Sequence, residues 1–179
     1  MKIGIAGVGG IGSNVAMHLV RSGFTDFKFG DFDKIEESNL NRQFYFQDQI
    51  GKYKAEMLCE NLKRINKKGH YFFSVIKFDR DNIKDYFSDC DIIVDGFDKK
   101  EYKSLLVEEF YNSGKLLICV SGIGGKNTES IVTVKKGNNF YIVGDLHSDI
   151  DNYATYSHKV CTVAAKVAEI ILQVGCEND

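Results

Sequence analysis

Residues 7–12 read GVGGIG, residues 30–34 GDFDK, residues 38–43 SNLNRQ and residues 51–56 GKYKAE. Gly7, Gly9 and Gly12 follow a short apolar strand, Lys2–Ala6, and open a stretch, Ile11–Arg21, in which Val15, Leu19 and Val20 recur at helical spacing. A glycine turn between strand and helix lets backbone N–H groups approach a phosphate at the helix start. Asp31 stands nineteen residues after Gly12, at the end of a second strand, Phe27–Asp31, where a carboxylate can accept from ribose hydroxyls. Dehydrogenases, methyltransferases and adenylating enzymes share this much. The residues therefore point to an adenosine-containing ligand without naming the reaction, and glycines kept only for close packing are the plain alternative.

The polar stretch that follows narrows the choice. Hydride transfer to a nicotinamide has no need of a guanidinium and several amides directly after the ribose acid. A triphosphate does: Arg42 can fork onto phosphate oxygens, and Asn39 and Gln43 can bond those oxygens or orient the arginine. Lys54 comes twelve residues after Arg42, at the start of a helix and just past Gly51, from where an ammonium can reach back to the same anion. Taken singly, Arg42 reads as a solvated loop charge and Lys54 as an ordinary helix lysine; together behind the glycine turn they read as a phosphate site.

Outward from this core the chain alternates strands and helices. Lys34–Gln49 is a long polar loop with short helical turns, and Lys52–Ile65 is an amphipathic helix through Ala55, Leu58, Leu62 and Ile65. Tyr71–Phe78 is a strand, Asp81–Phe87 a short helix, Asp91–Asp95 an apolar strand, 99–112 a helix and Leu116–Val120 a strand. The pattern then changes: Ile131–Val134 and Phe140–Val143 flank KKGNN, which suits a hairpin. Residues 145–158 read as an aperiodic loop, and a last helix spans 157–174. The expected fold is α/β and Rossmann-like, a mixed sheet with a parallel N-terminal part, antiparallel C-terminal strands and helices on both faces, forming one domain over 1–179.

Composition sets the outer limits. A chain of 179 residues can bury roughly 70% of its unfolded surface without metal or disulfide support. With 23 basic against 25 acidic residues and no long run of either sign, neither a nucleic-acid stripe nor a membrane-binding patch is expected. The N-terminus shows no signal-peptide pattern and no stretch is apolar enough to span a bilayer, so a cytoplasmic location is the default expectation. Cysteines at 59, 90, 119, 161 and 176 include no CxxC pair, so no zinc site is expected, and Cys161 falls on the apolar pattern of the last helix. Asp95 and Asp98 end the apolar fourth strand, on the side where open α/β sheets bind ligands. One such carboxylate can help hold Mg²⁺; capping the helix that follows is the other role open to Asp98.

The ordered set GVGGIGSN, GDFDKIEESNLNRQFYF, DQIGKYKAE with LKRIN, DCDIIVDGFD and SGIGG resembles the ThiF/MoeB family, bacterial relatives of ubiquitin-activating enzymes, over most of residues 1–125. The resemblance implies that Gly10, Asp31, Asn39, Arg42, Gln43, Lys54 and Asp98 contact ATP or its Mg²⁺, with Asp98 at the metal. It implies adenylylation of the C-terminal carboxylate of a ubiquitin-fold sulfur carrier, ThiS-like and serving thiamine biosynthesis, with a homodimer and a sulfur donor protein as further partners. MoaD-type carrier activation, a tRNA threonylcarbamoyladenosine dehydratase activity, an NAD-binding oxidoreductase and a non-catalytic dimer partner remain as alternatives. The chain departs from the family pattern at several points. It lacks the two CxxC pairs and an N-terminal helix carrying an arginine, it has Lys99 and Lys103 where Asn and Arg are usual, and it has no cysteine within 145–158. Adenylylation without a catalytic cysteine is the expectation.

Overall fold

The computed structural model describes residues 1–175, so Cys176 and the end of the expected 1–179 domain lie outside the described residues. Seven strands form one sheet in the order β3-β2-β1-β4-β5-β7-β6. They are β1 (Ile3–Ala6), β2 (Asp26–Asp31), β3 (His70–Val75), β4 (Ile92–Asp95), β5 (Leu116–Val120), β6 (Val132–Lys136) and β7 (Phe140–Gly144). The central strands β1, β4 and β5 are buried at every position, which is why they read as continuous apolar runs rather than alternating ones. Five helices cover the sheet: α1 (Gly10–Arg21), α2 (Lys54–Ile65), α3 (Ile83–Tyr86), α4 (Lys100–Phe110) and α5 (Ser157–Gly175). The core is split accordingly. One cluster joins the sheet to α1, α2 and α5 through Val15, Leu58 and Val163, and another joins it to α3 and α4 through Phe87, Leu106 and Phe110.

The α/β mixed sheet with helices on both faces is as the sequence reads, with one refinement. β7 pairs parallel to β5, and only β6, at the edge, runs antiparallel to β7. The hairpin turn, with Gly137 at φ 66°, brings the chain back so that β7 rather than β6 lies against the buried strand. Apolarity explains the choice: Val143 is fully buried, whereas β6 is exposed at every position but Val134, which is half-buried. β3 stops at Val75 rather than Phe78, because Phe78 turns inward to pack on Gly30 and Phe87. α2 starts at Lys54 rather than Lys52, because Lys34 and Tyr53 form a β-bridge and the Lys54 amide donates to the Asp33 carbonyl at 2.9 Å.

β1 pairs parallel with both β2 and β4, so the chain turns opposite ways from it and a crevice opens at the carboxyl ends of these strands. The close packing that forms the crevice centres on the Gly7 carbonyl. A Cβ on Gly12 or on Gly96 would lie 2.0 Å from that oxygen, and Gly7 itself has φ +83°. No side chain fits at these contacts. Among the described residues no helix is long and apolar enough to cross a membrane.

Gly12→Ala and Gly96→Ala are each expected to lower unfolding free energy by about 1–3 kcal/mol or more, since the backbone must separate to admit a methyl group. Gly9→Ala is the control, because its Cβ would meet nothing nearer than Gln43 Nε2 at 3.6 Å. Equal urea midpoints for the three variants would remove the close-approach argument.

Candidate active site

The glycine turn is shaped from beneath by Asp31. One carboxylate oxygen accepts from the Val8 N–H at 2.8 Å and the other from the Asp33 N–H at 2.7 Å. Burial raises the Asp31 pKa; the two N–H donors and the charge of Lys54 oppose the rise without cancelling it. The acid expected to meet a ribose thus also fixes the loop that would cradle phosphate.

The SNLNRQ stretch lies directly on this turn. An added Cβ on Gly10 would touch the Arg42 side chain at 3.8 Å, and Gly9 faces the Gln43 amide. Asn14, in the first turns of α1, donates both amide protons, to the Gly10 carbonyl at 2.7 Å and to the Arg42 carbonyl at 2.8 Å. Ser13 bonds the Gly9 carbonyl and accepts from the Phe44 amide. Arg42 itself is half-buried and its Nη1 donates to the Ser38 carbonyl and to Asn41 Oδ1. Burial lowers the guanidinium pKa and the nearby Asp98 raises it, so residues far apart in sequence act on one another here. Gln43 Oε1 is buried beside the glycine turn without a hydrogen-bond partner, an acceptor left over for a ligand donor. Asn39 is different: it is buried, its Oδ1 accepts from the Glu36 amide, and its carbonyl takes the Arg42 and Gln43 amides. Its side chain builds the turn that presents Arg42.

Lys54 is no surface lysine. It is 7% exposed, and its Nζ sits 3.1 Å from Asp33 Oδ2. Tyr45 ties it to the glycine turn. The phenol proton serves the Val8 carbonyl at 2.6 Å and is shared by the Lys54 carbonyl at 3.2 Å. Complete burial, with the charges of Asp31 and Cys59, raises the Tyr45 pKa well above its ordinary value and keeps it a donor. A buried amide pair, Gln49 with Asn61, then holds the Phe44 carbonyl and the Phe46 amide. Tyr45, Asn14, Asp33, Gln49 and Asn61 were not singled out from the sequence. The one signal available was a tyrosine and an amide-rich run inside an otherwise charged loop.

At the end of β4, Asp95 is fully buried, accepting from the Phe97 amide at 3.1 Å and from Lys103 Nζ at 2.8 Å. Lys103 also donates to the Val120 carbonyl, so it pins the ends of β4 and β5 together. Asp98 is exposed and does not cap α4; Lys99 occupies the cap position with no side-chain bond. Asp98 is free to take a cation, and Mg²⁺ bound to a nucleotide commonly uses one or two carboxylates and keeps its waters. Among the described residues no cluster of three or more His, Cys, Asp or Glu could hold a metal on protein groups alone. Lined by Asp98 but not by Asp31 or Lys54, a cavity of about 660 Å³ reaches from Ile11 to Ser121 and Leu146.

Among the described residues the cysteines are free thiols. Burial pushes the Cys59 and Cys90 thiols up to about 12, and Cys119 is raised as well. Cys161 is half-buried rather than part of the core, with its Sγ 3.7 Å from Asn14 Oδ1, because helix α5 turns this position toward the start of α1. His158 donates to the Lys126 carbonyl, and His147 lines the cavity.

Tyr45→Phe leaves the buried Val8 carbonyl without its phenol donor, and should cost about 1–3 kcal/mol of stability. It should also weaken ATP binding, by freeing the glycine turn from α2. Calorimetric titration alongside thermal unfolding tests this, and unchanged ATP affinity in the variant would break the link between clamp and site.

The sequence matches the ThiF family over residues 1–176. A Candida glabrata protein, adenylyltransferase and sulfurtransferase UBA4, is 30% identical over 139 residues, covering 77% of this chain and 31% of that protein. The Haemophilus influenzae tRNA threonylcarbamoyladenosine dehydratase is 29% identical over 132 residues, covering 73% of this chain and 51% of that protein. The chain thus spans only part of either relative's length. In fold it resembles Escherichia coli tRNA N6-threonylcarbamoyladenosine dehydratase, TcdA, solved in complex with AMP, with a TM-score of 0.87 at 21% identity over 97% of this chain and 85% of that one. Matched along nearly its whole length, the chain belongs to the ThiF family.

Proposed function

We propose that this chain transfers AMP from ATP to a carboxylate, and that the carboxylate is the C-terminus of a ubiquitin-fold sulfur carrier of the ThiS type, in thiamine biosynthesis. One observation carries the reading: two cations, Arg42 and Lys54, and two carboxylates, Asp31 and Asp98, are disposed around a single glycine turn with a buried unpaired acceptor, Gln43 Oε1. The UBA4 relative's name, which joins adenylyl transfer to sulfur transfer, supports a sulfur carrier as acceptor. A tRNA-linked acceptor is the second reading, favoured by the likeness to the dehydratases.

A terminal carboxyl with pKa near 3.5 is already an anion at neutral pH, so this chemistry needs no general base. What it needs is relief of repulsion between two anions. The glycine-turn amides would bind phosphate oxygens, Asp31 would accept from the ribose, and Arg42 and Lys54 would draw charge from the α-phosphate and align it for attack. Lys54 would exchange its Asp33 partner for the phosphate. Asp98 would hold Mg²⁺, which supplies further positive charge beside the phosphates when bound. A homodimer fits the family.

The deciding measurement is exchange of labelled pyrophosphate into ATP, run separately with ThiS-type carrier, MoaD-type carrier and tRNA. Exchange with the ThiS-type carrier is expected, and exchange with tRNA alone would overturn the carrier reading. Arg42→Ala and Lys54→Ala should each reduce the rate by roughly 10² or more. The wild-type rate should be flat between roughly pH 6 and 8, because the attacking carboxyl ionises far below that window. A limb in that range would reveal a base that the mechanism does not contain.

A further inference from the structure

The cavity beside Asp98 has one wall, residues 146–150, made of chain that regular structure does not hold, and residues 144–146 cross over the segment that follows β5. The crossing is tight. The Asp145 amide bonds the Gly122 carbonyl and the Leu146 amide bonds the Ser121 carbonyl, both at 3.1 Å. A Cβ on Gly144 would lie 1.7 Å from the Ser121 oxygen, and one on Gly122 would lie 2.0 Å from Asp145 Oδ1. Leu146 is the one non-glycine position among the described residues with positive φ, at 64°. A leucine is held in that conformation only where its surroundings over-determine it, and such positions gather at ligand clamps.

What over-determines it is a buried ion pair outside the glycine-turn set. Lys159, on the first turn of α5, is 2% exposed and spends all three ammonium protons. They go to Asp145 Oδ2 at 2.6 Å, to the Gly124 carbonyl at 2.5 Å and to Ser148 Oγ at 3.3 Å. Asp145 is as fully engaged. Its Oδ1 accepts from the His147 and Ser148 amides, and its Oδ2 from Ser148 Oγ as well as from Lys159. Burial pushes the Asp145 carboxyl up, but Lys159 and these donors outweigh it and hold the group well below the usual carboxylate range. A single ammonium thus fastens the ends of β5 and β7 to the helix whose next residue, Val160, packs on Gly10.

Asp98 and Ile11 line the cavity whereas Asp31 and Lys54 do not, so it adjoins the glycine turn on a side where a second reactant could come in. Phe97, Val107, Phe140, Ile142 and Ile150 make its lining largely apolar. Lys100 closes one side with a 2.6 Å ion pair to Asp149. We propose that Lys159 and Asp145 are positioning residues for the carboxylate acceptor, holding residues 146–150 as the wall of its pocket; this rests on the adenylyl-transfer reading. The nucleotide half of the site contains neither residue.

The test uses the 179-residue chain and phenylacetate, a carboxylate with a compact apolar body, followed by backbone amide NMR. Wild type should show saturable shifts at Ser121–Ile123 and Leu146–Ile150. Replacing a buried ion pair by apolar side chains often leaves stability intact, so Lys159→Met with Asp145→Leu should melt close to wild type. That double variant should nevertheless bind phenylacetate about tenfold more weakly, as a displaced wall predicts. Amide exchange at His147 and Ser148 should accelerate about a hundredfold, as local opening would require. Its ATP affinity should be unchanged. Asp145→Asn, which keeps an acceptor for those amides, should fall between, and it serves as the readout if the double variant does not fold. Wild-type affinity for phenylacetate in a folded variant, or phenylacetate shifts elsewhere on wild type, would overturn the proposal. Failure of wild type to bind ATP, with the phenylacetate shifts intact, would count against the adenylyl-transfer reading and not against the wall.

Discussion

Everything at the functional end of this molecule depends on how closely three backbone segments meet at residues 7 and 8. The Gly7 carbonyl admits neither a Cβ at Gly12 nor one at Gly96, which brings the start of α1 and the end of β4 against β1. One residue on, the Val8 amide donates to Asp31 and the Val8 carbonyl accepts from Tyr45. Four separate pieces of chain are therefore fixed by two peptide groups. The Gly9 carbonyl takes Ser13 and the Gly10 carbonyl takes Asn14, so the turn's carbonyls are used internally. Its outward N–H groups are the part left to meet an anion, which is the arrangement that favours phosphate at a helix start.

Electrostatics follows from that packing. A buried carboxylate and a buried ammonium are each costly alone, and the structure limits the cost by opposite charge: Lys54 pairs with Asp33 and its charge also acts on Asp31, and the charge of Asp98 acts on Arg42. The pairs are incomplete. Asp33 is half-exposed on its side chain and Arg42 leans on a backbone carbonyl and an asparagine, weak partners beside a triphosphate. A ligand bearing several negative charges would replace them at a net gain, whereas a dinucleotide's two phosphates would leave cations without a role. Charge number is what favours the proposed nucleotide activation over hydride transfer, since the glycine turn alone suits both.

The fold was legible because its signals are local. Continuous apolar runs marked the buried strands, and the 3.6-residue spacing of Leu58 and Leu62 or Val163 and Val167 marked the helices. The placement of β7 was not legible, since a hairpin signal says that two strands pair and is silent on which one joins the existing sheet. The expected site residues could be nominated because most of them form an ordered series in a short stretch. Tyr45, Asn61 and Lys159 escaped because their roles are made by contacts across long sequence separations. Lys159 meets Gly124, thirty-five residues away, and nothing near it in sequence marks it as buried. Cys161 was misjudged for a related reason: helical spacing identifies a face, but that face ends against polar Asn14 as well as against the core.

The two halves of the crevice are held by different kinds of bond, and this bears on how one scaffold could serve different acceptors. On the nucleotide side the restraints are close glycine contacts and side chains such as Asp31, Tyr45 and Asn14 bonded to main-chain atoms, which leave little room for substitution. On the cavity side they are a Lys–Asp pair, a surface Lys100–Asp149 contact and a strained leucine, all of which a few side-chain changes can redraw. An exposed, solvent-screened pair such as Lys100–Asp149 contributes little, so the wall's geometry rests on the buried pair and not on the exposed one. Under the proposed adenylyl transfer, a few side-chain changes around residues 145–150 would redraw the acceptor's wall while the glycine turn stays fixed.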